Sequence, residues 1–148
     1  MRLKKDWSLV LLGRLLEGHS AFQRLFKLSN VHYLGEQPHS IIPYFLKGMD
    51  VCLIPYRIDA FTRGISPLKL FEYLAVGRPV VSTPLEESKR MNEWVYVAED
   101  NTSFVDRIQG AMEEGDEKKK ARIDFAQQNT WKRRTETIEA LLQETFSC

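Results

Sequence analysis

Short apolar runs that alternate with helical stretches constrain this chain more than any other feature. Five runs are rich in β-branched and other apolar residues, and they fall at 8–13, 30–35, 50–56, 79–83 and 94–99. Runs without polar alternation indicate strands that are covered on both faces. Strands that alternate with helices pair in parallel through right-handed crossovers. The pattern therefore predicts an α/β fold in which about five strands form a doubly wound parallel sheet with helices on both faces.

Several helix boundaries can also be predicted. Residues 38–49 indicate a short helix that Pro43 restarts or bends, because proline has no backbone N–H to donate. The helix that opens at Ser66 is predicted to end at Gly77 and Pro79, which are typical stop residues. Three amphipathic helices are predicted to complete the chain, at about 101–114, 116–128 and 131–146.

Length and charge narrow the class of protein. The chain has 148 residues, which is enough for one domain with a core, so residues 1–148 are predicted to form a single domain. The formal net charge is only +1, so no overall electrostatic field recruits nucleic acid. Basic residues cluster at 2–5, 118–122 and 131–134. These clusters are interpreted as solvated helix faces, and a peripheral contact with an anionic membrane is the alternative.

The two cysteines, Cys52 and Cys148, form neither a disulfide framework nor a metal-binding pattern. Cys52 lies in an apolar run and is predicted to be buried in the core. No apolar stretch in the sequence approaches the ~20 residues that are needed to span a bilayer. We therefore expect a reducing, cytoplasmic setting and no metal site.

Folds of this class bind ligands in the crevice outside the carboxyl ends of their parallel strands. For this chain the rule selects the loops that begin at Gly13, Gly35, Pro55 and Ser82. The third of these loops leads into the helix that opens at Ser66. The residues around that helix start are therefore the first candidates for a binding site.

The helix that opens at Ser66 has an unusual charge in its first turn. Ser66 is a suitable N-cap and Pro67 a suitable first residue, and the free N–H groups that follow them form an anion site. Lys69 is unfavourable at an empty helix start, but it becomes a second ligand when a phosphate is bound. The alternatives are that Lys69 extends into water or pairs with Glu72 three residues on.

Three more polar side chains lie close to this helix start in the sequence. Glu72, one turn into the helix, is placed to accept hydrogen bonds from a ribose diol, as acids do in dinucleotide-binding folds, although any surface helix offers a glutamate. Asp59 and Arg63, in the preceding loop, either contact a donor sugar or an acceptor or are solvated. No metal-ligand spacing relates the three histidines, which are His19, His32 and His39.

Residues 66–84, SPLKLFEYLAVGRPVVSTP, resemble the donor-site signature of glycosyltransferase family 4, whose members are retaining GT-B enzymes that use nucleotide sugars. The segments before this signature resemble the family in the same order, and NTWKRRTETIEALL (129–142) resembles its closing helix. The resemblance covers about residues 7–146. It implies a Rossmann-like sheet that forms the C-terminal half of a GT-B fold, with the N-terminal, acceptor-binding domain absent.

The resemblance also implies individual site residues. Glu72 matches the ribose-binding glutamate, whereas Gly64 stands where the family has another acid that helps to hold the donor sugar. The matched positions are Ser66, Pro67, Leu68 and Lys69 for the diphosphate, Gly64 and Ile65 for the donor sugar, Gly35, Glu36 and Gln37 for the base, and Gly13 and Arg14 near the donor. No catalytic residue is assigned. The family needs no metal, because helix amides and basic side chains neutralise the leaving diphosphate.

The resemblance implies a transferase of the hexosyltransferase type, which moves a sugar from a UDP- or GDP-sugar to a glycan or lipid-linked acceptor in polysaccharide biosynthesis. No cofactor is expected. The isolated chain is expected to be inactive, because half of the cleft is missing, and to lie in the cytoplasm or at the inner face of the plasma membrane. Two alternatives stay open. One is a GT-B nucleotide-sugar epimerase domain, and the other is a non-catalytic nucleotide- or partner-binding module, which Gly64 favours.

Overall fold

The computed structural model describes residues 4, 6–15 and 20–146. The predicted basic cluster at 2–5 falls outside these residues apart from Lys4, and so does Cys148. The chain divides into two compact units, Met1–Ile42 and Pro43–Cys148. The assignment of residues 1–148 to one domain stays a prediction.

The first unit contains a two-stranded parallel sheet. Strand β1 (Leu9–Leu11) pairs with β2 (Val31–Tyr33), and helix α1 (Ser20–Leu25) lies between them in the chain. A 3₁₀ turn at His39–Ile41 follows β2. The first two predicted strands are therefore present, and their parallel pairing is confirmed.

The second unit contains a three-stranded parallel sheet. Its strands are β3 (Cys52–Ile54), β4 (Val80–Ser82) and β5 (Val95–Val97), in the order β3-β4-β5. Every residue of the central strand β4 is fully buried, so both faces of this sheet are covered. The α/β class and the five parallel strands are confirmed, and hydrogen bonding divides the strands into sheets of two and three. The observed strands are shorter than the apolar runs, because the ends of each run belong to loops.

Helices lie on both sides of the three-stranded sheet. They are α2 (Ile42–Lys47), α3 (Leu68–Ala75), α4 (Glu86–Arg90), α5 (Asn101–Met112), α6 (Glu117–Gln128) and α7 (Trp131–Phe146). Helix α5 packs on β4 and β5, α4 packs on β5, and α3 packs on β4 and on α6. Pro43 falls in the first turn of α2, where no N–H is needed, so the predicted restart of the helix is confirmed.

Helix α3 ends in a Schellman motif at Gly77. The Gly77 N–H donates to the Leu74 carbonyl at 2.9 Å, and the Arg78 N–H donates to the Tyr73 carbonyl at 3.2 Å. Gly77 has a φ of 74°, which residues with a side chain rarely adopt. A Cβ atom here would also lie 2.6 Å from Cγ of Lys119 on α6. The predicted stop is confirmed, and the glycine also lets α3 and α6 approach closely.

A buried ion pair joins α6 to Glu114 in the loop after α5, and hydrogen bonds connect this pair to β5. Arg122, which is 1% exposed, donates to both carboxylate oxygens of Glu114, with 2.7 Å between Nη2 and Oε2. Its Nε donates to the Trp94 carbonyl at 3.2 Å, and the Tyr96 hydroxyl donates to the Glu114 carboxylate. The interpretation of residues 118–122 as a solvated helix face is therefore wrong for Arg122, whose charge is paired inside the unit.

Aromatic residues of the C-terminal helices have two different environments. The rings of Trp94 and Phe125 lie 5.6 Å apart, as expected for core residues. Trp131, at the start of α7, is 71% exposed and does not belong to the core. On the same helix, Arg134 lies 4.8 Å from the centroid of the Phe71 ring of α3. Among the residues that the structure describes, no helix combines the length and the apolar character that crossing a bilayer needs.

Candidate functional site

The start of α3 differs from the prediction by one residue. The helix begins at Leu68, and Pro67 is the N-cap residue with a φ of −72° and a ψ of 120°. The prediction that Ser66 is the N-cap is wrong, because Ser66 precedes the cap residue and no side chain makes a capping bond. The proline ring sets φ, and the extended ψ of Pro67 delays the helix by one residue.

The first turn of α3 presents backbone donors to solvent. The buried Pro67 accepts the Leu70 N–H through its carbonyl at 2.9 Å. Within residues 20–146 and the shorter described ranges before them, the N–H groups of Leu68 and Lys69 have no acceptor. The side chains of both residues are exposed. Because unpaired N–H groups concentrate the positive end of the helix dipole, this turn is suited to an anion.

The Lys69 side chain is held next to the loop that follows β3. Its Nζ lies 5.4 Å from the centroid of the Tyr56 ring, within the range of a cation–π contact. Tyr56 comes two residues after the end of β3, at the carboxyl edge of the sheet. For an empty site, the sequence predicted that Lys69 either extends into water or pairs with Glu72. The contact with Tyr56 was in neither prediction.

One turn further along α3, Glu72 is half-buried beside Tyr73. Burial, followed by the neighbouring Cys52, Glu72 and Tyr56 in that order, raises the pKa of Tyr73 to about 12. Tyr73 therefore keeps its proton at neutral pH and remains a hydrogen-bond donor. Burial likewise raises the pKa of Cys52 to about 12, so the predicted core position of this thiol is confirmed and the thiol is unreactive.

Gly64 and Ile65, which were predicted to contact the donor sugar, lie immediately before Ser66. Gly64 ends a 3₁₀ turn at Thr62–Gly64, and Ile65 is extended, with its N–H bonded to the Thr62 carbonyl at 3.2 Å. A Cβ atom at Gly64 would meet nothing within 4 Å. The backbone therefore leaves room for a Cβ atom at this position.

Residues 57–64, called here the Phe61 loop, are ordered by their own polar groups. Oδ1 of Asp59 accepts the N–H groups of Phe61 at 3.0 Å and Thr62 at 2.9 Å. The Thr62 hydroxyl donates to the Arg57 carbonyl at 2.6 Å and accepts the Asp59 N–H at 2.8 Å. The Thr62 backbone bond lowers the pKa of Asp59. Asp59 thus stabilises the turn, and its carboxylate is engaged by the backbone.

In the first unit, the structure brings together Gly13 and Gly35. The Gly13 N–H donates to the Gly35 carbonyl at 2.9 Å, and the Tyr33 hydroxyl donates to the Gly13 carbonyl at the same distance. Both glycines have positive φ, at 127° and 69°. The turns after β1 and β2 therefore lie side by side, as the crevice rule predicts.

The polar residues near these two turns have different exposures. The Arg14 and Glu36 side chains are exposed, whereas Gln37 is partly buried. The Gln37 amide donates to the Leu34 carbonyl at 2.7 Å, so one of its donors is used to hold the turn. Its carbonyl oxygen is the group that can still accept a hydrogen bond from a base.

Sequence reasoning missed Tyr56 in the loop after β3, Tyr73 near the end of α3, and Thr62. Tyr56 could have been found, because an aromatic residue directly after a predicted strand lies at the carboxyl edge of the sheet. No sequence signal marks Tyr73, whose burial depends on how α3 packs, or Thr62, whose hydroxyl acts inside the turn.

A separate shallow cavity of about 400 Å³ lies along β5 and is lined by Lys89, Tyr96, Glu99 and Arg107 among others. None of the predicted donor residues lines it. Across the described ranges, no group of three or more His, Cys, Asp or Glu side chains is placed to hold a metal ion.

Comparisons of the sequence and the fold with known proteins show the family of this chain. The family model "Glycosyl transferases group 1" matches residues 1–114. The protein named "Putative teichuronic acid biosynthesis glycosyltransferase TuaH" of Bacillus subtilis (strain 168) is 31% identical over 135 residues, which cover 86% of this chain and 34% of TuaH. The crystal structure of Anabaena HepE in complex with UDP aligns with a TM-score of 0.61 and 18% identity, over 97% of this chain and 42% of HepE. The chain thus spans about a third of TuaH and less than half of HepE. It belongs to the group 1 glycosyltransferases, and it has the fold of a GT-B enzyme's Rossmann-like domain.

Proposed function

We propose that this chain is the nucleotide-sugar-binding domain of a glycosyltransferase that moves a hexose from a UDP- or GDP-sugar to a glycan or lipid-linked acceptor, with retention at the anomeric carbon. Family membership supports the class of enzyme, and the UDP bound to HepE supports a nucleotide-sugar donor. The name of TuaH supports a role in polysaccharide biosynthesis. Residues 1–148 act as one donor domain in the cytoplasm, and a further domain of a longer protein supplies the acceptor side of the cleft.

The observation that carries this proposal is the exposed start of α3. The unpaired N–H groups of Leu68 and Lys69 form a site that suits an anion. The Lys69 ammonium, in cation–π contact with Tyr56, adds a full positive charge to the same helix turn. Glu72 follows one turn later on the same helix. In the proposed complex, the first turn binds the diphosphate and the Glu72 carboxylate accepts hydrogen bonds from the ribose hydroxyls.

This arrangement acts on the leaving group of the reaction. When the bond between the sugar and the diphosphate breaks, negative charge develops on the terminal phosphate oxygen. Donors that are already oriented toward that oxygen stabilise the transition state without reorganising. The helix start and Lys69 supply such donors from this chain, and the other groups of the cleft come from the remainder of the protein.

Calorimetric titration with UDP and with uridine tests the proposal. The Glu72→Gln variant is expected to weaken the binding of both ligands about tenfold, because both contain the ribose. The Lys69→Ala variant is expected to weaken UDP but to leave uridine unchanged, because uridine lacks the diphosphate. Glu86→Gln, an exposed glutamate of α4, is the matched control. Equal UDP affinity in wild type and Glu72→Gln would sink the ribose assignment.

The second candidate function is a non-catalytic nucleotide- or partner-binding module, which Gly64 favours because the family's sugar-binding acid is missing. A nucleotide-sugar epimerase would keep the same nucleotide pocket. Incubating the full-length protein with UDP- and GDP-sugars separates the three functions. A glycosylated acceptor indicates the transferase, an epimerised sugar that is still attached to the nucleotide or is released from it by water indicates the epimerase, and an unchanged donor indicates the module.

A further inference from the structure

Phe61 is an aromatic side chain that a well-ordered loop leaves in water. It is 82% exposed, more than any other large apolar side chain in the described part of the chain. Its neighbour Thr62 is 7% exposed and forms the centre of the hydrogen bonds that order the Phe61 loop. The exposure of the ring is therefore a property of a defined loop conformation, and binding residues are found disproportionately on loops that a rigid scaffold positions.

The Phe61 loop also carries a net positive charge. Arg57 and Arg63 flank the ring in the sequence, and both are exposed. The one acid of the loop, Asp59, is engaged by two backbone N–H groups and lies close enough to Arg57 for the two charges to interact. In the described part of the chain, the Arg63 guanidinium has no ion-pair or hydrogen-bond partner. The loop thus carries an exposed apolar ring and, two positions further along the chain, an uncompensated guanidinium.

We infer that the Phe61 loop contacts the acceptor from the donor-domain side of the cleft and that the acceptor is an anionic saccharide; this inference rests on the proposed function. The C–H groups on one face of a pyranose form an apolar surface that packs against an aromatic ring. A carboxylate or phosphate on the same saccharide matches the paired N–H donors of a guanidinium. Phe61 therefore supplies the stacking platform and Arg63 supplies the charge recognition.

The position of the loop favours a saccharide over a lipid bilayer. The loop leads from the carboxyl end of β3 into the donor-binding start of α3, which is the edge of the sheet where such folds bind their substrates. A bilayer on this edge would cover the exposed N–H groups of Leu68 and Lys69, whereas an acceptor has to reach it. Besides Phe61, the one large apolar side chain of the loop is Ile58, which is 39% exposed, so the loop itself offers little apolar area for insertion.

Binding is measured by saturation-transfer NMR and by titration with a tetrasaccharide that contains glucuronic acid. The same tetrasaccharide with its carboxyl groups reduced is the neutral probe, and vesicles of phosphatidylglycerol and phosphatidylcholine are the membrane probe. The test variants are Phe61→Ala and Arg63→Gln. Their matched controls are Phe146→Ala, a phenylalanine that is 76% exposed on α7, and Arg24→Gln, an exposed arginine on α1.

We expect Phe61→Ala to weaken the charged tetrasaccharide about three- to tenfold, and the neutral one by the same factor, since both keep the ring faces. Arg63→Gln should weaken only the charged probe, and its affinity should then equal that of the neutral probe. The two control variants should bind as wild type does. Far-UV circular dichroism checks that all four variants keep the fold.

Three results would overturn the inference. They are the absence of saccharide binding, equal affinity for the charged and neutral probes in wild type, and vesicle binding that Phe61→Ala abolishes while saccharide binding is unaffected. These outcomes are separable from the donor site, because UDP titration reports on the start of α3 and on Glu72, and not on Phe61 or Arg63. Intact UDP binding without saccharide binding contradicts this inference only, and intact saccharide binding without UDP binding contradicts the proposed donor function.

Discussion

The Lys69 ammonium lies 5.4 Å from the centroid of the Tyr56 ring. A cation in the first turn of α3 is therefore in contact with an aromatic residue of the loop that follows β3. A lysine at the positive end of a helix is unfavourable by itself. The Tyr56 ring provides a compensating electrostatic attraction before any ligand is present. The charge is therefore kept close to the unpaired N–H groups of Leu68 and Lys69, where an anion can use all of these donors together.

Replacing Tyr56 should weaken UDP binding through Lys69. Tyr56→Leu removes the aromatic face, and we expect a two- to fivefold loss of UDP affinity, which is about what an exposed cation–π contact contributes. Tyr56→Phe keeps the face and should bind as wild type does. Calorimetry with uridine provides the control, since uridine affinity should not change in either variant. If Tyr56→Phe loses as much affinity as Tyr56→Leu, the hydroxyl and not the ring is the important group.

Gly77 should be the least replaceable of the described glycines. Gly77→Ala forces a side chain into a φ of 74° and places Cβ 2.6 Å from Cγ of Lys119, so we expect the free energy of unfolding to fall by about 2 kcal/mol. Gly110→Ala is the matched control, because Gly110 lies inside α5 and has open space around it. That variant should gain about 0.5 kcal/mol. Urea unfolding measures both, and equal stability of the two variants would contradict the close approach of α3 and α6.

The buried pair of Arg122 and Glu114 should make stability depend on acid pH. Burial raises the pKa of the Glu114 carboxyl, but the hydrogen bonds from Arg122 and Tyr96 outweigh burial, and the pKa is lowered from its ordinary value of 4.5. A carboxyl with a lowered pKa in the folded state contributes stability above pH 4.5 and loses it as the pH falls through the folded-state pKa. Unfolding free energy should therefore decrease below that pH.

Glu114→Gln tests this contribution directly. It leaves the Arg122 charge buried without a counterion, so the loss should be about 3 kcal/mol near pH 7 and should shrink in acid. Glu113→Gln, at the exposed neighbouring position, should change stability by less than about 0.5 kcal/mol. Chemical unfolding at several pH values measures both variants. A loss for Glu114→Gln that is the same at all pH values would show that the pair acts through packing alone.

The parts of the fold that could be predicted are those set by local burial and backbone chemistry. Each apolar run contains a strand because its side chains are covered on both faces, and Gly77 and Pro43 act where their backbone properties require. The unpredicted contacts join residues that are distant in the chain. Nothing in the sequence distinguishes Arg122 from an arginine on the surface. Its burial is explained only by the packing of α6 against Trp94 and Glu114.

The predicted site shows the same division. The spacing of Lys69 and Glu72 along one helix could be predicted from the sequence, because a helix places residues three apart on the same face. The N-cap is Pro67 and not Ser66, because Pro67 has an extended ψ of 120°. The sequence does not predict this value of ψ, since the proline ring fixes φ alone. The contact of Lys69 with Tyr56 depends on where β3 ends relative to α3, which is a tertiary relationship.

Gly64→Glu should restore a donor-sugar contact without cost to the fold. A Cβ atom at this position meets nothing within 4 Å, and Gly64 is not among the glycines with positive φ, so the unfolding free energy should change by less than about 0.5 kcal/mol. The resemblance to the family implies that an acid here contacts the donor sugar. We therefore expect the variant to raise the affinity for a UDP-sugar several-fold, by about one charge-assisted hydrogen bond, while the affinity for UDP alone stays the same or falls slightly through repulsion.

The ratio of the two affinities is the readout for Gly64→Glu, and Gly64→Ala is the matched control that adds a side chain without the acid. Competition between UDP and UDP-glucose in the same calorimeter cell measures this ratio. Differences between preparations in the fraction of binding-competent protein have little influence on it, because both ligands meet the same protein sample. A raised ratio in Gly64→Glu alone would mean that the cleft still positions the sugar and that the acid is what this chain lacks. An unchanged ratio, with the fold intact, would favour the nucleotide-binding module over the transferase, because the sugar would then lie out of reach of position 64.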